Sequence, residues 1–195
     1  MAHNDLALAA KKIAVYRGDI TKMGVDAIVN AANPTLLGGG GVDGAIHRAA
    51  GPELLMECRS LHGCAVGRAK ITAGYDLPAP FVIHTVGPIW EDGKQNESQK
   101  LRACYRNSLK LALDYQLTTV AFPAISTGAY GYPKAEAAEI AVDTALKFLL
   151  AHPALHKIYF VVFDGETEAL YRESLERALS ISDEDSKTQS PSPAK

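Results

Sequence analysis

The apolar residues of this chain alternate between short strand-like runs and longer stripes at helical spacing. After a loose or briefly helical start, Lys12 to Arg17 alternates around Ile13 and Val15 and predicts a first strand. Ala27 to Ala31 is an apolar run closing at Asn30, the pattern of a strand buried on both faces. Val42 to Ala50 predicts a helix, with Asp43 near its N-cap position and Gly51-Pro52 as its stop. Pro52 suits the first turn of another helix, running to about Leu61. Strands are expected at Arg68–Thr72 and Phe81–Val86, then a polar loop over Glu91–Ser98. Leu101, Tyr105, Leu109 and Ala112 recur at helical spacing through Tyr115. Thr119 to Phe122 reads as a strand ended by Pro123, and Pro133 opens a helix marked by Ala137, Ala141, Ala145, Leu146 and Leu149. His156 to Phe163 is strongly strand-like, and a last helix from about Glu166 places Tyr171, Ser174, Leu175 and Ala178 on one side.

Strands alternating with helices predict an α/β domain whose largely parallel or mixed sheet is covered on both faces. One domain is expected over residues 1–181; beyond it, residues 182–195 are too polar to join a core and are expected to be disordered. Ligands of such sheets bind past the carboxyl ends of the strands. Three loops in that position have unusual composition: Gly18–Thr21, Asn30–Asp43 and Ala124–Tyr132.

Composition narrows the function classes. The 195 residues are 47% apolar and 22% charged, ordinary for a globular chain. A net charge of −2 and a pI near 6.3 give no basic footprint for extended nucleic-acid binding. Cys58, Cys64 and Cys104 form no CxxC pair, and Cys58, His62 and Cys64 match no zinc spacing, so neither a disulfide framework nor a metal is expected. No apolar run approaches the ~20 residues of a membrane span. The N-terminus lacks the charged and apolar regions of a secretory signal, and a reduced, cytoplasmic protein is expected.

Gly38 to Gly41, four glycines in a row, precede the predicted helix. Such a run is entropically costly, and its use at a helix start is to present backbone N–H groups to an anion, usually a phosphate. A P-loop needs Lys and Ser/Thr directly after the last glycine; Val42-Asp43 stand there instead. Gly39, Gly41 and Gly44 satisfy G-x-G-x-x-G. However, Asn33 to Leu37 intervene after the strand, and no acid stands about 20 residues on, where a dinucleotide fold needs one.

The ordered motifs resemble the macrodomain family, and most closely its MacroD-type branch. They are Gly18-Asp19-Ile20-Thr21; Asp26 to Asn33; Gly38 to Gly51; Ile83-His84-Thr85-Val86-Gly87-Pro88; and Pro123 to Pro133. The similarity runs from about Lys12 to Leu179, with a departure at Val66-Gly67-Arg68. It implies a three-layer α/β/α sandwich with a mixed six-stranded sheet that binds ADP-ribose. It further implies hydrolysis of O-acetyl-ADP-ribose and removal of mono-ADP-ribose from acidic side chains of proteins, without metal or other cofactor; a monomer is expected. A non-catalytic ADP-ribose reader is the alternative.

By this resemblance Asp19 accepts from the adenine amino group with help from the Ile20 backbone, and Phe163 stacks on the base. Asp19 as a mere turn-former and Phe163 as core are the structural alternatives. Gly39, Gly40, Gly41 and Val42 on one side clamp the diphosphate. Ser126, Thr127, Gly128, Ala129 and Tyr130 clamp it on the other, with Tyr130 over the distal ribose. Asn30 counts among the binding residues. Asn33 fixes a distal-ribose hydroxyl, and Asp43 orients or deprotonates a water that attacks the acyl carbon. Against these stand a turn role for Asn33 and helix capping for Asp43. His47, one turn after Asp43 on the same face, holds the acid or the substrate, or is a packed histidine. His84 reads as a satisfied core histidine.

Overall fold

β-branched and aromatic residues at period two build six strands in the structure, a computed structural model that describes residues 2–188. The strands are β1 (Ile13–Arg17), β2 (Ala27–Ala32), β3 (Ala69–Ala73), β4 (Phe81–Val86), β5 (Thr119–Phe122) and β6 (Lys157–Val162). They form one sheet in the order β1-β6-β5-β2-β4-β3. All neighbours are parallel except β3, which pairs antiparallel with β4 at the edge.

Alternation along each strand assigns its side chains to one of two helical layers. Ala27 and Val29 of β2 face a core shared with α1 (Ala2–Lys11), α4 (Glu97–Asp114), α5 (Lys134–Ala151) and α6 (Gly165–Thr188). Ile28 and Ala32 face a smaller core under α2 (Gly41–Ala50), α3 (Pro52–Ser60) and the 3-10 turn Ile20–Lys22. The result is a three-layer α/β/α sandwich with a mixed six-stranded sheet. Among the described residues no helix is long and apolar enough to cross a membrane.

Element boundaries depart from the sequence reading in a few places. Of the loose or briefly helical start expected, the helical option holds, as a ten-residue helix. β3 begins at Ala69, one residue later than expected. Glu97, read as loop, opens α4 because its carboxylate turns back to accept the N–H groups of Glu91, Gly93 and Gln95, closing that polar loop on the helix start. α6 continues to Thr188, past Ser182, where disorder was expected from composition: the Asp, Glu, Ser and Lys there are too polar for a core yet compatible with an extending helix. The remainder of that expected tail, 189–195, lies outside the described residues.

The pairing of β2 with β5 positions the site. The two strands pair only at Ala27↔Val120 and Ile28↔Ala121, whereas β2 follows β4 over its full length. Past Ile28 the β2 and β5 ends part, and a crevice opens between the loops that leave them. Asp26 pins the opposite end: its Oδ2 accepts from Thr118 N–H (2.8 Å), Thr118 Oγ1 (3.0 Å) and Thr119 N–H (2.9 Å), and its own N–H donates to Thr119 Oγ1. Burial pushes the Asp26 carboxyl up, but the Thr118 and Thr119 hydrogen bonds outweigh it and the net direction is down. Asp26→Ala should therefore lower unfolding free energy by about 1–3 kcal/mol at neutral pH, read by urea titration. The wild-type advantage is full above the ordinary Asp value of ~3.9 and disappears as pH falls through the lower folded-state value.

Candidate functional site

Beyond the carboxyl ends of β2, β4, β5 and β6 lies a cavity of about 540 Å³, within the ~300–1,000 Å³ range of small-molecule sites. Its walls are two glycine-bearing loops. One runs from Ala31 to Asp43 between β2 and α2, and the other from Pro123 to Tyr130 between β5 and α5. Gly87, Val161 to Asp164 and Thr167 also line the cavity.

Both loops present backbone donors. α2 starts at Gly41 behind Gly40, and α5 starts at Lys134 behind Pro133; neither N-cap residue makes a side-chain cap hydrogen bond. First-turn N–H groups have no partner inside their helix and carry the positive end of its dipole. Among the described residues no hydrogen bond takes the N–H of Thr127, Gly128, Ala129 or Tyr130. The second loop holds its shape by other means: Tyr132 N–H to Ser126 O, Gly131 N–H to Gly128 O, and the Thr127 hydroxyl to Ala124 O. Ser126 sits at φ 66°, and its buried hydroxyl has no hydrogen-bond partner among the described residues. Two rows of unused donors facing one cavity suit a polyanion such as a diphosphate.

Asp43 does not cap its helix. Gly40 occupies the N-cap, the helix begins one residue earlier than Val42, and Asp43 falls inside the first turn, 4% exposed. Its side chain is directed under the glycine loop rather than back to the helix N–H groups. Oδ1 accepts from Asn30 Nδ2 at 2.8 Å, while Oδ2 is buried without a partner among the described residues. Burial raises the Asp43 carboxyl above its ordinary value; the Asn30 hydrogen bond and nearby His47 oppose this without cancelling it. A β-carbon on Gly39 would lie 3.1 Å from Asp43 Oδ2 and 3.3 Å from Asn33 Nδ2, so bare backbone passes between these two groups.

Asn33 combines a turn role with a place in the cavity wall. Its Oδ1 accepts from Thr35 N–H and Thr35 Oγ1, and its Nδ2 donates to Gly38 O at 2.9 Å. That leaves the second Nδ2 hydrogen for a ligand. Gly39, Gly40, Gly41, Val42, Ser126, Thr127, Gly128, Ala129, Tyr130 and Phe163 also line the cavity, and Phe163 is 65% exposed there.

Four of the residues singled out from the sequence lie outside the lining. Asp19 is exposed after β1, where Oδ1 accepts from Thr21 N–H (2.9 Å) and Thr21 Oγ1 (2.7 Å); the Thr21 hydroxyl holds its carboxyl below the usual range. Ile20 beside it is buried in the smaller core. Asn30 is fully buried behind Asp43. His47 packs its ring against Gly38, with Nε2 3.5 Å from Asp43 Oδ1 and no hydrogen bond at that nitrogen. Conversely, Lys134, Asp164 and Thr167 line the cavity and were not singled out. Asp164 accepts from Thr167 N–H (2.8 Å) and Oγ1 (3.0 Å), and the Asp-Gly-Glu-Thr spacing before a helical stripe carried that signal. Lys134 pairs with Glu166 at 2.6 Å, a contact the sequence spacing does not reveal.

Cys58, Cys64 and Cys104 are free and buried, and among the described residues no cluster of three or more His, Cys, Asp or Glu side chains is placed to hold a metal ion.

Comparison with known proteins agrees with this geometry. A model of the Macro domain family matches residues 29–141. A Macro domain-containing protein of Methanosarcina mazei is 54% identical over 89% of this chain and 93% of its own length. The O-acetyl-ADP-ribose deacetylase of Escherichia coli K12 is 57% identical over 84% of this chain and 95% of its own. The solved Oceanobacillus iheyensis macrodomain with ADP superposes with a TM-score of 0.83 at 44% identity, covering 86% of this chain and 92% of that one.

A buried carboxylate with one unpartnered oxygen destabilises the fold it sits in. Because the folded-state value of Asp43 is raised, wild-type stability falls as pH rises from ~3.9 through that value. Asp43→Asn is expected to raise the thermal midpoint at pH 7, with the gap closing in acid, where Asp43 is itself neutral. Calorimetry at both pH values checks this.

Proposed function

This chain belongs to the macro domain family, and from that premise we propose that it binds ADP-ribose and hydrolyses O-acetyl-ADP-ribose as a MacroD-type enzyme. The observation that carries the reading is the Asp43 carboxylate, buried, half-satisfied and lining a cavity between two loops of unused N–H donors. A module that only binds has no need of that acid at that cost.

In the proposed complex the diphosphate lies between Gly39–Val42 and Ser126–Tyr130, drawn by N–H groups and the dipoles of α2 and α5. Phe163 stacks on the adenine, and Asp19 takes the base amino group at the adjacent end of β1. The distal ribose then lies beside Asn33, whose second amide hydrogen holds one hydroxyl next to the acylated one, with Tyr130 covering the ring. Asp43, its basicity raised by burial, takes a proton from a water as that water attacks the acyl carbon. A phosphate oxygen of the substrate shares in orienting the water. The tetrahedral intermediate breaks its bond to the ribose oxygen, which recovers the proton from Asp43, leaving ADP-ribose and acetate.

The same ester chemistry serves ADP-ribose carried on aspartate or glutamate of a protein, with the protein carboxylate in place of acetate. Three buried, free cysteines suit a reducing compartment, and we place the protein in the cytoplasm as a monomer.

Wild type, Asn33→Ala and Asp43→Ala compared side by side test the proposal. Calorimetry should give Asp43→Ala an ADP-ribose affinity within a few-fold of wild type, while acetate release falls by about 10²-fold or more, the scale of a lost general base. Undiminished turnover in Asp43→Ala would remove the acid from the mechanism. Tight ADP-ribose binding by a wild type that turns over no acyl substrate would make the chain a reader.

A further inference from the structure

Behind Asp43, outside the cavity, a line of buried polar side chains crosses β2, β4 and β3. Asn30 and His84 are lateral neighbours in the β2–β4 register, both fully buried on the face toward α2 and α3. Asn30 Nδ2 lies 2.8 Å from Asp43 Oδ1 and 3.2 Å from His84 Nδ1. On the far side of the ring, His84 Nε2 is 2.9 Å from Thr72 Oγ1, and that hydroxyl is 3.1 Å from Ala73 O.

Donor counting from the acid end assigns the protons in this line. An ionised Asp43 can only accept, so Asn30 turns its Nδ2 toward it, and the second amide hydrogen meets His84 Nδ1. Nδ1 is then an acceptor and the ring hydrogen sits on Nε2, where Thr72 Oγ1 accepts it and donates in turn to Ala73 O. A flipped Asn30 would set its carbonyl oxygen against the Asp43 carboxylate. The burial that keeps His84 neutral, down to about 3, agrees with this assignment.

We propose that His84 is a positioning residue for the hydrolytic reaction: held as the Nε2–H tautomer by Thr72, it locks the Asn30 amide so that Asn30 donates to Asp43 and aims the free carboxylate oxygen at the cavity. This rests on the reading of Asp43 as the base. Removing the Nδ1 acceptor frees the amide to rotate, and Asp43 loses its one hydrogen bond. The titratable groups around the line are His47 on α2 and Glu57 and Cys58 on α3. Cys58 Sγ is 3.7 Å from His84 Nε2, its thiol pushed up to about 11 by burial, so it stays neutral.

The test joins an NMR observation with kinetics of the full chain. Imidazole nitrogen shifts of wild type should show a neutral His84 protonated on Nε2 at pH 7. His84→Leu should lower kcat by about tenfold or more, the scale of a lost charge-assisted hydrogen bond, with the ADP-ribose Kd unchanged. Its acidic limb of kcat should move to higher pH, because an unheld Asp43 ionises less readily. Thr72→Val should shift both quantities in the same direction, and it carries the test if His84→Leu does not fold. His84→Asn, whose side-chain carbonyl can accept where Nδ1 does, should recover most of the loss. An Nδ1–H or doubly protonated ring would overturn the proposal. So would an active wild type whose kcat and acidic limb are unmoved in His84→Leu and Thr72→Val. A wild type with no turnover would instead sink the hydrolase reading, and the positioning role with it.

Discussion

Burying the Asp43 carboxylate under the glycine loop, with Asn30 as its one hydrogen-bond donor, is the constraint on which the rest of the site depends. A surface aspartate would be a weak base in competition with solvent. A fully paired buried one would be held too firmly ionised to take a proton. Here burial raises the carboxyl's proton affinity while one hydrogen bond keeps its geometry. The unpartnered oxygen is 3.1 Å from where a β-carbon on Gly39 would stand, and the bare loop is what leaves that space. Gly44 completes the packing, since a β-carbon there would meet Gly39 O at 2.4 Å. The glycines thus give close approach over the acid and, in the proposed complex, the bare donors for an anion.

The sheet supplies the crevice in which this happens. β2 and β5 are tied at their starts by Asp26 and pair over two residues before their ends part. Each end feeds a loop and then a helix N-terminus, so two positive dipole ends approach one cavity from neighbouring strands. Period-two alternation does the remaining work. Ile28, Asn30 and Ala32 share a face of β2, and His84 lies between Val82 and Val86 on the same face of β4. Polar residues on an otherwise apolar face are costly unless each is paired, and the Asn30–His84–Thr72 line shows how most of that cost is met.

Much of this was legible in the sequence because it is written in local patterns. Apolar rhythm located all six strands to within a residue or so at each end, and Pro52 and Pro133 located helix starts. The glycine run before a helix start by itself points to donors for an anion. Asp43 was harder: Asp beside a helix start reads as a cap, and only the structure shows Gly40 in that position with the carboxylate turned inward. Glu97 was missed for a related reason, since its three N–H partners come from a loop that precedes it and composition alone says "polar". Lys134 needed the ion pair with Glu166, 32 residues away, to appear. The alternation Ile28-Val29-Asn30-Ala31-Ala32 did imply that Asn30 faces a core, but not which acid it would find there.

If Asp43 is the base, the hydrolysis rate must report its ionisation while ligand binding must not. The direct measurement is the single-turnover rate of O-acetyl-ADP-ribose hydrolysis by the wild-type chain as a function of pH, with ADP-ribose affinity measured at each point. The account predicts a rate that falls in acid with an apparent pKa above the ordinary carboxylate value of ~3.9, over a range in which affinity stays level. A rate that is flat across that range, or that falls only as affinity falls, would contradict it.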